Sequence, residues 1–175
     1  MARSEPLARL RQLIGRFYSL VIELTPLARV RKLIHQLDSI VITLTRPDNW
    51  TPRRFLNEYI VQDFLRALLV VHFDDVRLEE YTPSHAGRSA RIDFLLRPEK
   101  IVLEIKMTRE WLALEELRNQ TIIDIEEYSK MTDCETLVCI VYDPHHRVSN
   151  PSGFESDLSG QRGRITVEVI VIPKR

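Results

Sequence analysis

The chain has 175 residues, 44% of them hydrophobic and 29% charged, with no net charge; that suits one compact domain with a small appendage and excludes a disordered polymer. No apolar run approaches the ~20 residues that cross a bilayer, and the opening MARSEPLARLRQ lacks the uninterrupted apolar stretch and small-residue cleavage site of a secretory signal. A cytoplasmic protein without membrane contact is the expectation. The neutral total hides a division, because residues 1–54 hold ten Lys/Arg against four Asp/Glu and residues 55–175 hold fifteen against twenty-one. A basic arm on an acidic body fits phosphate contacts and head-to-tail association equally well.

The chain begins with a tandem repeat. PLARLRQLIGRFYSLVIELT (6–25) is followed directly by PLARVRKLIHQLDSIVITLT (26–45), with 12 of 20 positions identical. Leu7, Leu10, Ile14, Phe17, Val21 and Leu24 recur at alternating steps of three and four, as do Leu27, Val30, Ile34, Leu37, Val41 and Leu44, and this is the stripe of an amphipathic helix. Ser4 and Thr25 are candidate N-caps, with Pro6 and Pro26 in the first turn. Two helices are predicted, broken at Thr25-Pro26, whose stripes must pair with one another, lie on the body of the protein or join another subunit. Segment 1–45 is assigned to this repeat as an assembly or packing element, and 46–175 to the main domain.

RPDNWTP (46–52) reads as a linker. Thr51 resembles an N-cap with Pro52 at the first helical position, opening a helix through NEYIVQDFLRALLVV whose apolar face is Phe55, Tyr59, Phe64, Leu65 and Leu68. VRLEEYTP then reads as a strand and PSHAGRSA as a loop. ARIDFLLR and KIVLEIKM form two strands around a tight turn at residues 97–100. A helix is expected over roughly 109–131, a strand buried on both faces at ETLVCIVYD, an irregular stretch over 143–163, and a closing strand at RITVEVIVI. The order α-β-β-β-α-β with one late strand implies a mixed α/β (α+β) domain, its central sheet flanked by helices. Cys134 and Cys139, placed on opposite faces if both lie in the strand, are expected to be buried free thiols.

Alternation within Ile101–Met107 sends Glu104 and Lys106 to one face and Ile101, Leu103, Ile105 and Met107 to the other. A carboxylate and an ammonium in the middle of an apolar strand are costly without partners. Asp93 interrupts the preceding apolar run in the same way, and a hairpin about 97–100 brings it opposite the neighbourhood of Glu104. Two such carboxylates repel unless one is protonated or a hard divalent cation lies between them. Glu58, one turn before Gln62 on the first helix of the domain, is a candidate further ligand or metal-water contact. A salt bridge of Glu104 with Lys106, and of Asp93 with Arg91, is the structural alternative.

The stretch RIDFLLRPEKIVLEIKMTRE resembles the D-x(n)-E-x-K signature of the PD-(D/E)XK nuclease superfamily, with Ile92 where proline is usual. The wider segment from NEYIVQDF through RIDFLL to Tyr128 resembles more narrowly the DpnII/MboI-like restriction endonuclease domain, found in restriction enzymes and in bacterial defence proteins. The resemblance covers roughly residues 55–158. It implies a restriction-endonuclease-like αβββαβ core and a Mg2+-dependent endonuclease (Mn2+ substituting) acting on DNA in anti-phage defence or restriction. On this resemblance Asp93 and Glu104 ligate the metal, Lys106 assists the nucleophilic water and Glu58 completes the site. Gln120 and Tyr128 match a helical Gln…Tyr feature of several superfamily nucleases and join Gln62 and Arg91 as substrate contacts. A homo-oligomer through the N-terminal helices, with a defence-system partner, completes this picture. The alternative is a catalytically silent nuclease-fold module that binds nucleic acid or serves as an oligomerising scaffold.

Other features point to less. Asp143-His145-His146 has no further ligand at a recognisable spacing, and Asp74-Asp75 and Glu79-Glu80 read as solvated charges. No phosphate-binding glycine loop and no G-x-S-x-G is present.

Overall fold

A computed structural model describes residues 24–45, 57–78, 92–110 and 112–174. Six strands form a mixed sheet in the order β1-β2-β3-β4-β6-β5. The strands are β1 (Val76–Leu78), β2 (Phe94–Leu96), β3 (Ile101–Met107), β4 (Thr136–Tyr142), β5 (Gly160–Arg162) and β6 (Ile165–Ile172). β1, β2 and β3 run antiparallel, β3, β4 and β6 run parallel, and β5 returns antiparallel on the outer edge. The helices are α1 (Pro26–Leu44), α2 (Glu58–His72), α3 (Leu114–Tyr128) and α4 (Pro151–Leu158). The expected mixed sheet flanked by helices is therefore observed.

Two apolar layers enclose the sheet. On one face α1 and α2 bury Val30, Ile34, Leu37, Val61, Leu65 and Leu69 against Leu103, Ile105, Ile140 and Ile170. On the other, Leu117, Ile125 and Tyr128 of α3 and Phe154 of α4 cover Val102, Leu137, Cys139 and Val167. β3 and β4 are buried on both faces, which is why their sequences are nearly continuous apolar runs.

The second repeat copy is α1. Thr25 caps it, its hydroxyl accepting from the Ala28 N–H at 3.3 Å, and the expected stripe faces the core. Polar contacts fix its seat. Arg31 pairs with Glu168 on β6 at 2.6 Å; Arg29 donates to the His72 carbonyl at 3.2 Å and stacks over the Phe73 ring; and Asp38 accepts from the Tyr142 hydroxyl at 3.0 Å. Among the three placements left open for the repeat stripes, this copy lies on the body of the protein. Residues 6–23 of the first copy and the linker 46–56 are outside the described residues.

Several expectations are corrected. On α2 the buried residues are Val61, Leu65 and Leu69, with Asn57 as cap. Tyr59, expected on the apolar face, is 68% exposed, because the four-residue step 61-65-69 rotates the buried stripe away from it. The proposed cap Thr51 and Phe55 are outside the described residues. Segment 143–163 is less irregular than expected: Asn150 caps α4 through Gly153, Pro151 sits in its first turn, and Phe154 and Leu158 supply a buried face. Cys134 precedes β4 rather than lying within it, so the opposite-face argument does not apply. Both thiols are free and buried in the same layer.

Candidate active site at the open edge of β3

The site begins with a shortage of strand partners. β2 ends at Phe94, which pairs with Leu103, whereas β3 runs four residues further. Beyond that point β3 has no strand on its β2 side among the described residues, and buried N–H groups there need other acceptors. Two carboxylates supply them. Asp93 accepts from the Ile105 N–H at 2.8 Å, and Glu58, reaching from the first turn of α2, accepts from the Met107 N–H at 3.0 Å. One step past the last ladder pair, Asp93 stands across from Glu104, as the hairpin register requires.

Glu104 and Lys106 point toward α3, as alternation predicts. The Tyr128 hydroxyl donates to Glu104 Oε2 at 2.7 Å, and Lys106 Nζ lies 3.6 Å from Glu104 Oε1. The same ammonium lies 2.5 Å from Asp124 Oδ2. Tyr128–Glu104–Lys106–Asp124 is thus one polar chain between β3 and α3, buried at Tyr128 and Glu104 and half-buried at Lys106 and Asp124. Arg109 approaches Glu58 at 3.7 Å on the rim. A cleft of about 420 Å³ opens beside Asp93, lined by Glu58, Tyr59, Gln62, Asp63 and Arg66 of α2.

The electrostatics follow from burial. Asp93 is pushed up to about 6, first by desolvation and then by repulsion from Glu58, against the Ile105 N–H, the Gln62 amide and Lys106. Glu104 is pushed up to about 8 by desolvation and by the Asp93 charge, only partly relieved by Lys106 and the Tyr128 hydroxyl. Burial alone would depress Lys106, but Asp124 and Glu104 outweigh it and hold it above the usual lysine value, so it stays an ammonium. Asp124 is raised by burial in spite of Lys106.

Among the described residues Asp93, Glu104 and Asp124 share the half-buried ammonium of Lys106 and the only cation Glu58 meets is Arg109, so full ionisation leaves an excess of negative charge. A divalent cation relieves such an excess. No group of three or more His, Cys, Asp or Glu converges as a ready metal cage among the described residues. Asp93 and Glu104 nevertheless suit a hard ion that takes one or two carboxylates, several waters and a substrate phosphate. The donor set fits Mg2+.

The structure brings together Asp93, Glu104, Lys106, Glu58, Gln62 and Tyr128. Tyr128 is buried behind Glu104 and touches it, so it holds the carboxylate and does not present itself to a substrate. Gln120 spends its amide on Glu116 of its own helix at 3.0 Å, and Arg91 is outside the described residues. Asp124 was missed by the sequence reading, although Gln120, Asp124 and Tyr128 follow one another at four-residue steps along one helix face. Asp143 is structural: it is buried and accepts from the Thr108 hydroxyl and the Arg147 and Val148 N–H groups. Arg118 and Arg162 are engaged by Asp157, and Arg164 by the Ser129 carbonyl.

A mixed sheet between two helical layers, with an acidic cluster and one lysine at an open strand edge, defines a restriction-endonuclease-like protein. The model of the DpnII-MboI restriction endonuclease family (REase_DpnII-MboI) matches residues 28–174, and the chain belongs to that family. The match starts within α1, so the family domain takes in the second repeat copy and extends beyond the expected 55–158 at both ends. No curated protein matches the chain, and no solved structure matches it. The family makes the protein a nuclease, with DNA as the implied substrate. No helix among the described residues is long and apolar enough to cross a membrane.

Proposed function

We propose that the chain is a Mg2+-dependent endodeoxyribonuclease of PD-(D/E)XK type, in which Asp93 and Glu104 hold the ion and Lys106 works on the attacked phosphate. The observation that carries this reading is the placement of half-buried Asp93 across from buried Glu104, both pushed above the ordinary carboxylate range. Bound Mg2+, or Mn2+ in its place, supplies Lewis-acid polarisation of the scissile phosphate and a more acidic attacking water. Lys106, kept charged by Asp124 and Glu104, is a donor and not a base. It orients the nucleophilic water and stabilises charge developing on the phosphate oxygens. Asp124 and Tyr128 are positioning residues, acting through Lys106 and Glu104. Glu58 extends the acidic cluster toward the cleft, where Gln62 faces the substrate. Arg91 and Gln120 remain candidate substrate contacts.

In this reading the enzyme is a cytoplasmic effector of restriction or anti-phage defence, working with a defence-system partner. It associates with other copies through whichever repeat helix is not seated on the body. Purified protein should cut plasmid or linear duplex DNA in Mg2+ or Mn2+, and Glu104→Ala or Lys106→Ala should lower cleavage at least ~10³-fold in a folded protein. Protein that binds DNA and Mn2+ yet leaves duplex, single-stranded DNA and RNA intact, with its partners present, would make it the silent scaffold instead.

A further inference from the structure

The chain carries a second sequence written for the seat that α1 occupies. At the five buried positions of α1, Val30, Leu33, Ile34, Leu37 and Val41, the residues twenty places upstream are Leu10, Leu13, Ile14, Phe17 and Val21. Three are identical and all are apolar. The two arginines that anchor α1, Arg29 over Phe73 and Arg31 against Glu168, have Arg9 and Arg11 as their counterparts. A helix stripe alone does not specify a groove, because many amphipathic helices share the three-four step. Five apolar positions and two cationic anchors in the same register are far more specific.

We propose that the seat of α1 accepts either copy of the repeat, so that residues 6–25 of the same chain can replace residues 26–45. The geometry permits it. Shifting the chain by one repeat adds twenty residues to the connection between the seated helix and α2, and loop closure grows only with the logarithm of loop length. The copies are not equal occupants. Phe17 stands for Leu37, which is fully buried, and overfills that position. Tyr18 stands for Asp38 and removes the carboxylate that accepts from Tyr142. Glu23 and Thr43 differ at an exposed position. The second copy is therefore the preferred occupant and the first is the reserve. The resident helix covers the same face of the sheet as α2, which carries Glu58.

The full-length chain tests this through folding alone, independently of cleavage. Ile34 is fully buried, and Asp at that position leaves a carboxylate without a partner in an apolar layer, which a fold with one possible occupant does not tolerate. Ile34→Asp, Ile14→Asp and the double variant are compared by thermal melting and light scattering. The expected result is a cooperative melt for both single variants, with Ile34→Asp within about 15 °C of the parent and monomeric at the concentration where the parent is monomeric, and no cooperative melt for the double variant. Loss of folding in Ile34→Asp alone overturns the proposal. So does a double variant that folds like the parent, which would show that the seat needs neither stripe. Rescue seen only in dimers would place another chain's helix in the seat and overturn occupancy by the chain's own first copy.

Discussion

Glu104 on β3 and Asp143 at the end of neighbouring β4 are both buried carboxylates, yet the molecule treats them oppositely. Asp143 receives three hydrogen bonds, from the Thr108 hydroxyl at 2.7 Å and from the Arg147 and Val148 N–H groups at 2.9 Å. Among the described residues Glu104 receives one, from Tyr128, shares its surroundings with Asp93, Asp124 and the Lys106 ammonium, and is pushed up to about 8. A carboxylate surrounded by donors holds a loop in place. A carboxylate surrounded by other carboxylates leaves room for a cation. Donor count, not burial, separates the two carboxylates.

The sharpest break of this contrast is a swap of phenotypes. Where Glu104→Ala removes cleavage and spares the fold, Asp143→Ala should leave three donors unanswered, two of them buried, and cost about 3 kcal/mol of stability. Cleavage per folded molecule should survive it; a chemical-denaturation curve beside a cleavage assay reads both. Next in size is the response to metal. Saturating Mn2+ should raise the melting temperature by about 5–10 °C, more at pH 8 than at pH 6, because both carboxylates must lose their protons to bind. Asp93→Asn should abolish the shift.

A smaller effect isolates Glu104 without metal. Its folded-state value lies above that of an unfolded glutamate, so the folded protein holds the proton more tightly. Metal-free stability should fall as pH rises from about 4.5 toward 8. Glu104→Gln should flatten that part of the slope and stabilise the metal-free protein at pH 8 by on the order of 1–3 kcal/mol. A slope unchanged by the substitution would remove Glu104 as its source. The least expected effect is that of Tyr128→Phe, which deletes a single donor to Glu104. It should cost about 1 kcal/mol and lower cleavage roughly tenfold, with substrate affinity in a gel-shift assay unchanged.

The hairpin and the grouping of its charged side chains were legible because period-two alternation leaves little freedom. Once 97–100 is a turn, Asp93 must come across from Glu104, and Lys106 must share the face of Glu104. Asp124 was not legible, because on an exposed-looking helix an aspartate among Glu115, Glu116, Glu126 and Glu127 carries no mark of its own. Only the depth of Lys106 reveals its use. Tyr59 was misplaced because an apolar residue near a helix start counts toward either of two neighbouring faces until the packing partner is known. Helix α4 was hidden behind prolines and glycines that read as loop, although Asn150-Pro151 is also the start signal of a helix.

The turn at 97–100 acts at a distance. Lys100 sits in a left-handed conformation (φ 53°) and its N–H closes the turn on Arg97 at 3.2 Å, so the hairpin has one setting. A slip of a single residue would carry Asp93 to the opposite side of the ribbon. The spacing between the two acidic groups is thus gauged by a bend that touches neither of them, and a proline in place of Lys100, which forbids the left-handed conformation and removes the N–H that closes the turn, would detune the pocket from outside it.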